Sequence, residues 1–295
     1  MSDNLRGSLF MVLAMLGFAV EDAFFKAATG SAGVSPGVGT MLFGIFGTSF
    51  FVLYALWRKE TILRRAYIEG PLLIRSGFEI LGRLFFALSL AYVPLSTTSA
   101  ILQAAPLVVT LGAALVLKEQ VGLRRWVAMT IGFAGVLLIL RPTPSGFDAT
   151  VIFAVLGMIG FAGRDLMTRA SPPEVTATQL GILGFVMVFV AGVVITVFES
   201  APLAAPTVPA LLMLMGTGLA GLIGYSALTK AMRSGEVSVV APFRYSRLLI
   251  ALVFAYFFFG ERPDAFTLIG AALIVGSGTY TLIRSGRRVG RAPAQ

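Results

Sequence analysis

Nine ionisable side chains sit inside stretches that are otherwise continuously apolar. Four are acids, Glu21, Asp22, Glu79 and Asp165, and five are arginines, Arg75, Arg83, Arg164, Arg244 and Arg247. A charged residue at the centre of a transmembrane helix costs about 2.5–3.5 kcal/mol on insertion scales, so each is a functional candidate, with a structural ion pair as the rival. Arg75, Glu79 and Arg83 follow one another at intervals of four, which places them on one helical stripe. One carboxylate between two guanidiniums leaves that stripe net positive. It forms either a clamp for a substrate carboxylate or phosphate, which the guanidinium fork suits, or a self-compensating ladder with Arg75 snorkelling to the surface.

Arg244 and Arg247 are three apart on a shared face, beside Tyr245 and just after Pro242, a residue that breaks helical hydrogen bonding. They are expected to contact substrate, with Glu21 or Glu79 as alternative partners. Asp22 precedes Lys26 by four residues, and Asp165 precedes Arg169 by four. Both spacings read as local helix pairs fixing the ends of their segments. Glu21 stands opposite Arg164 in a repeat described below, so these two are expected either to meet at the midplane as alternating ligands or to form a buried salt bridge. Gln103 is an uncharged donor and acceptor at membrane depth, suited to a cavity or to joining helices. The translocation candidates are therefore Glu21, Glu79, Arg83, Gln103, Arg164, Arg244, Tyr245 and Arg247. The structural candidates are Asp22, Lys26, Arg75, Asp165 and Arg169.

The elements that must hold these groups are membrane spans. Of the 295 residues, 57% are hydrophobic and 13% charged, against about 45–50% and about 25% in soluble domains. Such a chain cannot bury its apolar excess in one water-soluble core, which argues against an ordinary cytosolic enzyme. Ten apolar runs of membrane-spanning length appear, at 7–28, 34–57, 70–92, 96–117, 123–141, 149–168, 176–198, 208–232, 236–259 and 264–284. Backbone groups in lipid must be satisfied within the segment, and the runs do not alternate as barrel strands do, so they are helices. The first run is too long, and too rich in charge at Glu21, Asp22 and Lys26, for a cleavable signal peptide.

The net charge of +9 has its explanation in the loops. With the N-terminus cytoplasmic, fifteen Lys and Arg fall in cytoplasmic segments and three, Lys26, Arg141 and Arg262, fall outside. That is the positive-inside pattern rather than a nucleic-acid footprint, and it puts both termini in the cytoplasm. The basic tail from residue 286 also suits anionic headgroups. The chain has no His and no Cys. This removes disulfides, thiolate and imidazole catalysis, and metal sites built from those ligands. No metal or cofactor is expected. A P-loop is also missing, so the chain does not itself hydrolyse ATP by that route.

An internal repeat organises the spans. Residues 11–27 and 154–170 align without gaps with eight of 17 positions identical, among them Gly17 with Gly160, Phe18 with Phe161, and Asp22 with Asp165. Lys118-Glu119 and Gly260-Glu261 recur at almost the same offset. Spans 1–5 are thus repeated as spans 6–10, and five spans per repeat force the second half to sit upside down. Inverted repeats characterise secondary transporters, whose substrate site lies near the midplane between the halves.

The residues that carry this order also carry a resemblance. They are Ala87-Leu88-Ser89-Leu90-Ala91-Tyr92, Ala105-Pro106-Leu107, Lys118-Glu119 and Gly132-Phe133-Ala134-Gly135 in the first half. In the second they are Ala227-Leu228, Val240-Ala241-Pro242-Phe243, Gly260-Glu261-Arg262 and Gly270-Ala271-Ala272. Across residues 7–284 the chain resembles the EamA type of the drug/metabolite transporter superfamily. It departs from that pattern at Lys118, where a glycine is usual, and at Leu248, where a proline is expected. The resemblance implies an all-α integral membrane protein of ten helices in two inverted five-helix repeats, at 5–142 and 148–285, followed by a tail at 286–295. It also implies alternating-access transport of small metabolites in the plasma (inner) membrane. The arginine excess points to an anionic or zwitterionic cargo moved by an exporter or exchanger. The alternatives are an uptake permease for a cofactor-like or cationic metabolite and a membrane-embedded enzyme. Protons are the simplest coupling ion, through Glu21 or Glu79. The expected partners are the cargo and the bilayer, with no nucleic acid, in a monomer or homodimer.

Overall fold

The computed structural model describes residues 3–105, 107–108, 111–112, 123–140, 148–169, 171–172, 174–199, 205–233 and 241–289. Ten α-helices occur among the described residues. They are α1 (Asp3–Lys26), α2 (Pro36–Trp57), α3 (Gly70–Tyr92), α4 (Leu95–Leu102), α5 (Leu123–Leu140), α6 (Val151–Arg169), α7 (Ala177–Glu199), α8 (Val208–Arg233), α9 (Ser246–Phe259) and α10 (Ala265–Val289). Each falls within one expected span or overlaps its edges. Five helical stretches are individually long and apolar enough to cross a bilayer: Leu5–Ser31, Pro36–Trp57, Val151–Thr168, Ala177–Glu199 and Val208–Leu228. The charges of α3 and the shortness of α4 and α9 account for much of the difference from ten. The far half of the fourth expected span, including Pro106, lies outside the described residues.

Helix ends follow local chemistry. Ser35 caps α2 by accepting from Val38 N, and Pro36 occupies the first turn, where its missing N–H costs nothing. Thr176 and Gln179 form a reciprocal capping box on α7. Gln179 N donates to Thr176 Oγ1 at 3.2 Å, and Thr176 N donates to Gln179 Oε1 at 3.0 Å. The α4 N-terminus is capped from elsewhere in the chain: Glu261 accepts from Leu95 N at 2.8 Å and Ser96 N at 3.0 Å. Gly260 makes this reach feasible, because it ends α9 with φ of 62°, a left-handed turn that favours glycine.

The dominant helix pairings are α1 with α8, α2 with α7, α3 with α6 and α5 with α10. Each joins one half of the chain to the other. Exchanging the halves maps α2·α7 and α5·α10 onto themselves and α1·α8 onto α6·α3, so the pairing respects the repeat. Close glycine contacts give the direction. Gly37, Gly44 and Gly47 pack against Thr196, Phe189 and Phe185, so α2 and α7 run antiparallel. Gly132 meets Ser277 while Gly135 meets Gly270 and Leu273, so α5 and α10 also oppose. Repeat-equivalent helices that run in opposite directions are the inversion itself. The seams are built from small residues because lipid offers no hydrophobic drive to helix association, and tight backbone approach supplies the packing. Gly17 against Gly224 and Gly82 against Gly160 are the closest backbone meetings on α1·α8 and α3·α6.

The bundle therefore has two ends. The far end holds the C-terminus of α1 and the N-terminus of α6. The near end holds the start of α1 and the finish of α6. Lys26 ties the far end together, donating to Val93 O at 2.8 Å and lying 3.7 Å from Glu261. At the near end Thr176 Oγ1 donates to Glu60 at 2.7 Å.

Candidate functional site

Nine charged side chains converge between the halves, and all nine are ion-paired. In the far half, Arg83 Nη2 on α3 donates to Glu21 Oε1 on α1 at 2.8 Å. Arg247 on α9 donates from Nη2 and Nε to a single oxygen, Asp22 Oδ2, at 2.6 and 3.2 Å. In the near half a chain of five runs from α3 through α6 to the start of α9. Arg75 Nη2 lies 3.2 Å from Glu79 Oε2, and Arg164 Nη1 lies 3.2 Å from Glu79 Oε1. Arg164 Nη2 reaches Asp165 Oδ1 at 2.9 Å, and Arg244 Nη2 touches Asp165 Oδ2 at 3.5 Å. The far half balances two arginines with two acids. The near half has three arginines for two acids, so the positive excess lies there.

This geometry redraws several pairings expected from spacing. Glu21 and Arg164 do not meet; each finds its opposite on α3, at Arg83 and Glu79, because α3 presents an acid and a base one turn apart. Asp22 does not pair with Lys26. It points to Arg247 while Lys26 turns to backbone carbonyls and Glu261. Asp165 lies between Arg164 and Arg244; the side chain of Arg169 is outside the described set. Arg75 does not snorkel. It is 1% exposed, held by Glu79 and by Thr168 Oγ1 at 3.0 Å, where α3 presses against α6. Arg244 and Arg247 take Asp165 and Asp22 as partners rather than Glu79 and Glu21.

Aromatic faces supply the remaining support. The Arg83 guanidinium lies 4.5 Å from the Phe43 ring centroid, Arg164 lies 4.8 Å from Phe161, and Arg247 lies 5.3 Å from Phe18. Cation–π attraction of this kind is worth about 0.5–2 kcal/mol, more where water is excluded. Phe18 and Phe161 are repeat equivalents, so each half offers an aromatic seat to a guanidinium. Their identity in the repeat was the available signal for this role. Tyr225 on α8 had no such signal, yet it lies within electrostatic reach of Arg75, Arg164, Glu79 and Asp165.

The helices are interrupted where the halves meet. After Leu102, α4 tightens into turns in which Gln103 N donates to Ala100 O and Ala104 N to Ile101 O. Before Ser246, the chain forms a 3₁₀ segment, Ala241–Tyr245, that contains Pro242. Among the described residues the ninth apolar run is interrupted there, because proline cannot continue an α-helical ladder. In the repeat register set by Glu119 and Glu261, Gln103 and Tyr245 are equivalent. Both are buried, and neither Gln103 Nε2 nor Tyr245 OH has a partner among the described residues. Broken helices with unpaired polar groups at the interface of inverted halves are how transporters build midplane sites.

The two ends differ in access. At the far end the side chain of Asp22 is 1% exposed, and Phe25, Ala28, Ala251 and Ala255, further toward that end on α1, the segment after it and α9, are fully buried. At the near end the side chains of Asp165 and Arg244 are 28% and 33% exposed. A cavity of about 470 Å³ lies apart from this network, between α5 and α10, and is lined by Leu123, Val127, Ile131 and Leu273 among others.

A model of the EamA-like transporter family matches residues 5–141 and again residues 148–283. The chain belongs to the EamA-like transporter family. As an EamA-like transporter it is a multi-pass membrane protein and not an enzyme. Among its relatives is a riboflavin transporter of Rhizobium johnstonii, 28% identical over 98% of this chain and 94% of that one. An S-adenosylmethionine uptake transporter of Rickettsia bellii is 29% identical over 76% and 75% of the two chains. A pseudopaline exporter of Pseudomonas aeruginosa is 26% identical over 91% and 93%. A solved crystal structure superposes with a TM-score of 0.64 over 94% of this EamA-like chain and 98% of the other. At 18% identity that likeness speaks for the fold alone.

Proposed function

We propose that this EamA-like transporter is a secondary carrier for a small anionic or zwitterionic metabolite, moved by alternating access between its two inverted halves. The observation that carries this reading is the arrangement at Asp22 and Asp165. The two aspartates occupy equivalent positions of the halves, and both are held by arginines three residues apart at the start of α9. One pair is short and sealed; the other is long and open. Two such latches, one on α9 and one on the 3₁₀ segment that leads into it, can close in turn, which is the requirement for exposing one site to each side alternately.

The near-half chain supplies the recognition chemistry. Its three guanidiniums face two carboxylates, and Arg75 Nη1 is buried with no hydrogen-bond partner among the described residues. A cargo carboxylate or phosphate supplies the missing counter-charge, and Arg binds such groups through paired donors. Gln103 and Tyr245 offer uncharged contacts to the rest of the molecule. The relatives include both uptake and export proteins with different cargoes, so the local charge balance, not kinship, sets the proposed class.

The excess of basic residues in the near-end loops supports a cytoplasmic near end in the inner membrane. The conformation described is then open inward and closed outward. The repeat limits proposed are 5–142 and 148–285, with the basic tail beyond them. The test is counterflow in proteoliposomes screened with a metabolite panel. Arg244→Ala is expected to abolish saturable exchange of an anionic cargo while the protein remains monodisperse. Normal exchange by that variant, or saturable exchange confined to cationic compounds, would refute the reading.

A further inference from the structure

The four buried carboxylates are not equally placed to take up a proton. Glu79 and Asp165 each neutralise two guanidiniums, so protonating either would strand two buried cations. Glu21 is held by Arg83 at 2.8 Å. Asp22 differs. Both donors of Arg247 fall on Oδ2, and Oδ1 is buried with no partner among the described residues. A carboxylate oxygen in that state has lost its water and gained nothing in return, which is the environment that favours a bound proton.

We infer that Asp22 is the proton-binding site of this transporter, and that protonation of Oδ1 releases Arg247 and opens the far end. The step is simple in its balance. A proton from water forms an O–H bond at Oδ1, the carboxylate becomes a neutral acid, and Arg247 keeps its own charge but loses its counter-ion. The freed guanidinium is then available to an anionic cargo. The attraction closing α1 against α9 exists only with Asp22 ionised, so acid favours the arrangement in which the two helices part.

The surroundings of Asp22 are consistent with this assignment. Arg247 on α9 is paired with Asp22, and the neighbouring Glu21 on α1 is paired with Arg83 on α3. Lys26, on the same helix, is committed to Val93 and Glu261. Arg244 and Tyr245 lie on the 3₁₀ segment before α9, with Arg244 committed to Asp165. The segment Leu95–Leu102 of α4 has no titratable side chain. Tyr225 and Lys230 are the titratable groups on the described side chains of α8. Tyr225 belongs to the near-half cluster, and Lys230 lies over Phe10.

The inference rests on the transport reading, but its test needs no substrate. The chain has no cysteine, so single thiols report access cleanly. Ala251 lies one turn beyond Arg247 on α9 and is 0% exposed, whereas Ser31 is exposed. The rate of maleimide labelling is measured on purified, detergent-solubilised Ala251→Cys and divided by that of Ser31→Cys, which cancels the pH dependence of the thiol. The ratio is expected to rise by about tenfold for each unit of acidification once the carboxyl titrates, since one linked proton moves an equilibrium one decade per unit. Adding Asp22→Asn is expected to leave the ratio high and flat. Asp22→Glu, which keeps a titratable group, is expected to retain the slope, and it serves also if the Asn variant is unstable. A flat ratio with Asp22 intact, or a slope that survives Asp22→Asn, overturns the proton site and leaves the transport reading standing. Loss of Arg244-dependent exchange concerns the transport reading alone.

Discussion

Arg247 directs two donors at one oxygen of Asp22, at 2.6 and 3.2 Å, whereas Arg244 meets Asp165 through one contact of 3.5 Å. The two aspartates share a repeat position, while both of their arginine partners come from the second half. Asp22 is buried, whereas Asp165 and Arg244 are partly exposed.

That contrast predicts unequal costs. Arg247→Ala leaves a carboxylate uncompensated in the interior, which costs about 3–5 kcal/mol. Arg244→Ala removes a single long contact at a partly exposed site, worth about 0–1 kcal/mol. Thermal unfolding of the purified variants, followed by monodispersity on size exclusion, is expected to place Arg247→Ala well below the parent and Arg244→Ala close to it. Equal losses would contradict the assignment of sealed and open ends.

The Glu21–Arg83 pair joins α1 to α3 at 2.8 Å, with Arg83 stacked over Phe43. Glu21→Gln and Arg83→Gln are each expected to destabilise by about 3 kcal/mol, because each strands a buried charge. The double variant is expected to be less damaged than the sum of the two. A coupling of about 1–3 kcal/mol in the double-mutant cycle checks this; additivity would mean the pair is not an energetic unit.

Glu261 closes the α4 N-terminus from the loop after α9 and also faces Lys26. Glu261→Ala is expected to cost about 1–2 kcal/mol, the usual value of a lost cap. The effect is read as a lowered midpoint of thermal unfolding. Gly260→Ala should add strain of its own at φ of 62°.

The α2·α7 seam depends on the absence of a side chain at Gly44, which packs on the Phe189 backbone. Gly44→Leu is expected to prevent the halves from closing and to abolish folded, monodisperse protein. A well-folded Gly44→Leu variant would refute the packing described.

Much of the architecture is legible in the sequence because lipid imposes it. Apolar runs mark the helices, and Gly17-Phe18 against Gly160-Phe161 marks the repeat. The buried charged residues are also legible, since Glu21 or Arg83 in such apolar runs is conspicuous. Their partners are not. Spacing of four suggested Asp22 with Lys26, but helices from opposite halves approach so closely that Arg247 reaches Asp22 first. The break before Ser246 was signalled by Pro242. That after Leu102 was signalled less clearly, and the role of Tyr225 not at all, because a lone tyrosine on an apolar helix has no pattern around it.

The two ends are expected to open in alternation. The direct test is double electron–electron resonance on spin-labelled pairs in the cysteine-free chain. Ser31→Cys with Arg262→Cys reports the far end, and Arg6→Cys with Glu174→Cys the near end. With Asp22→Asn releasing the far latch, the far pair is predicted to lengthen and the near pair to shorten. Distances that stay fixed at both ends, or that change in the same direction, would contradict the account.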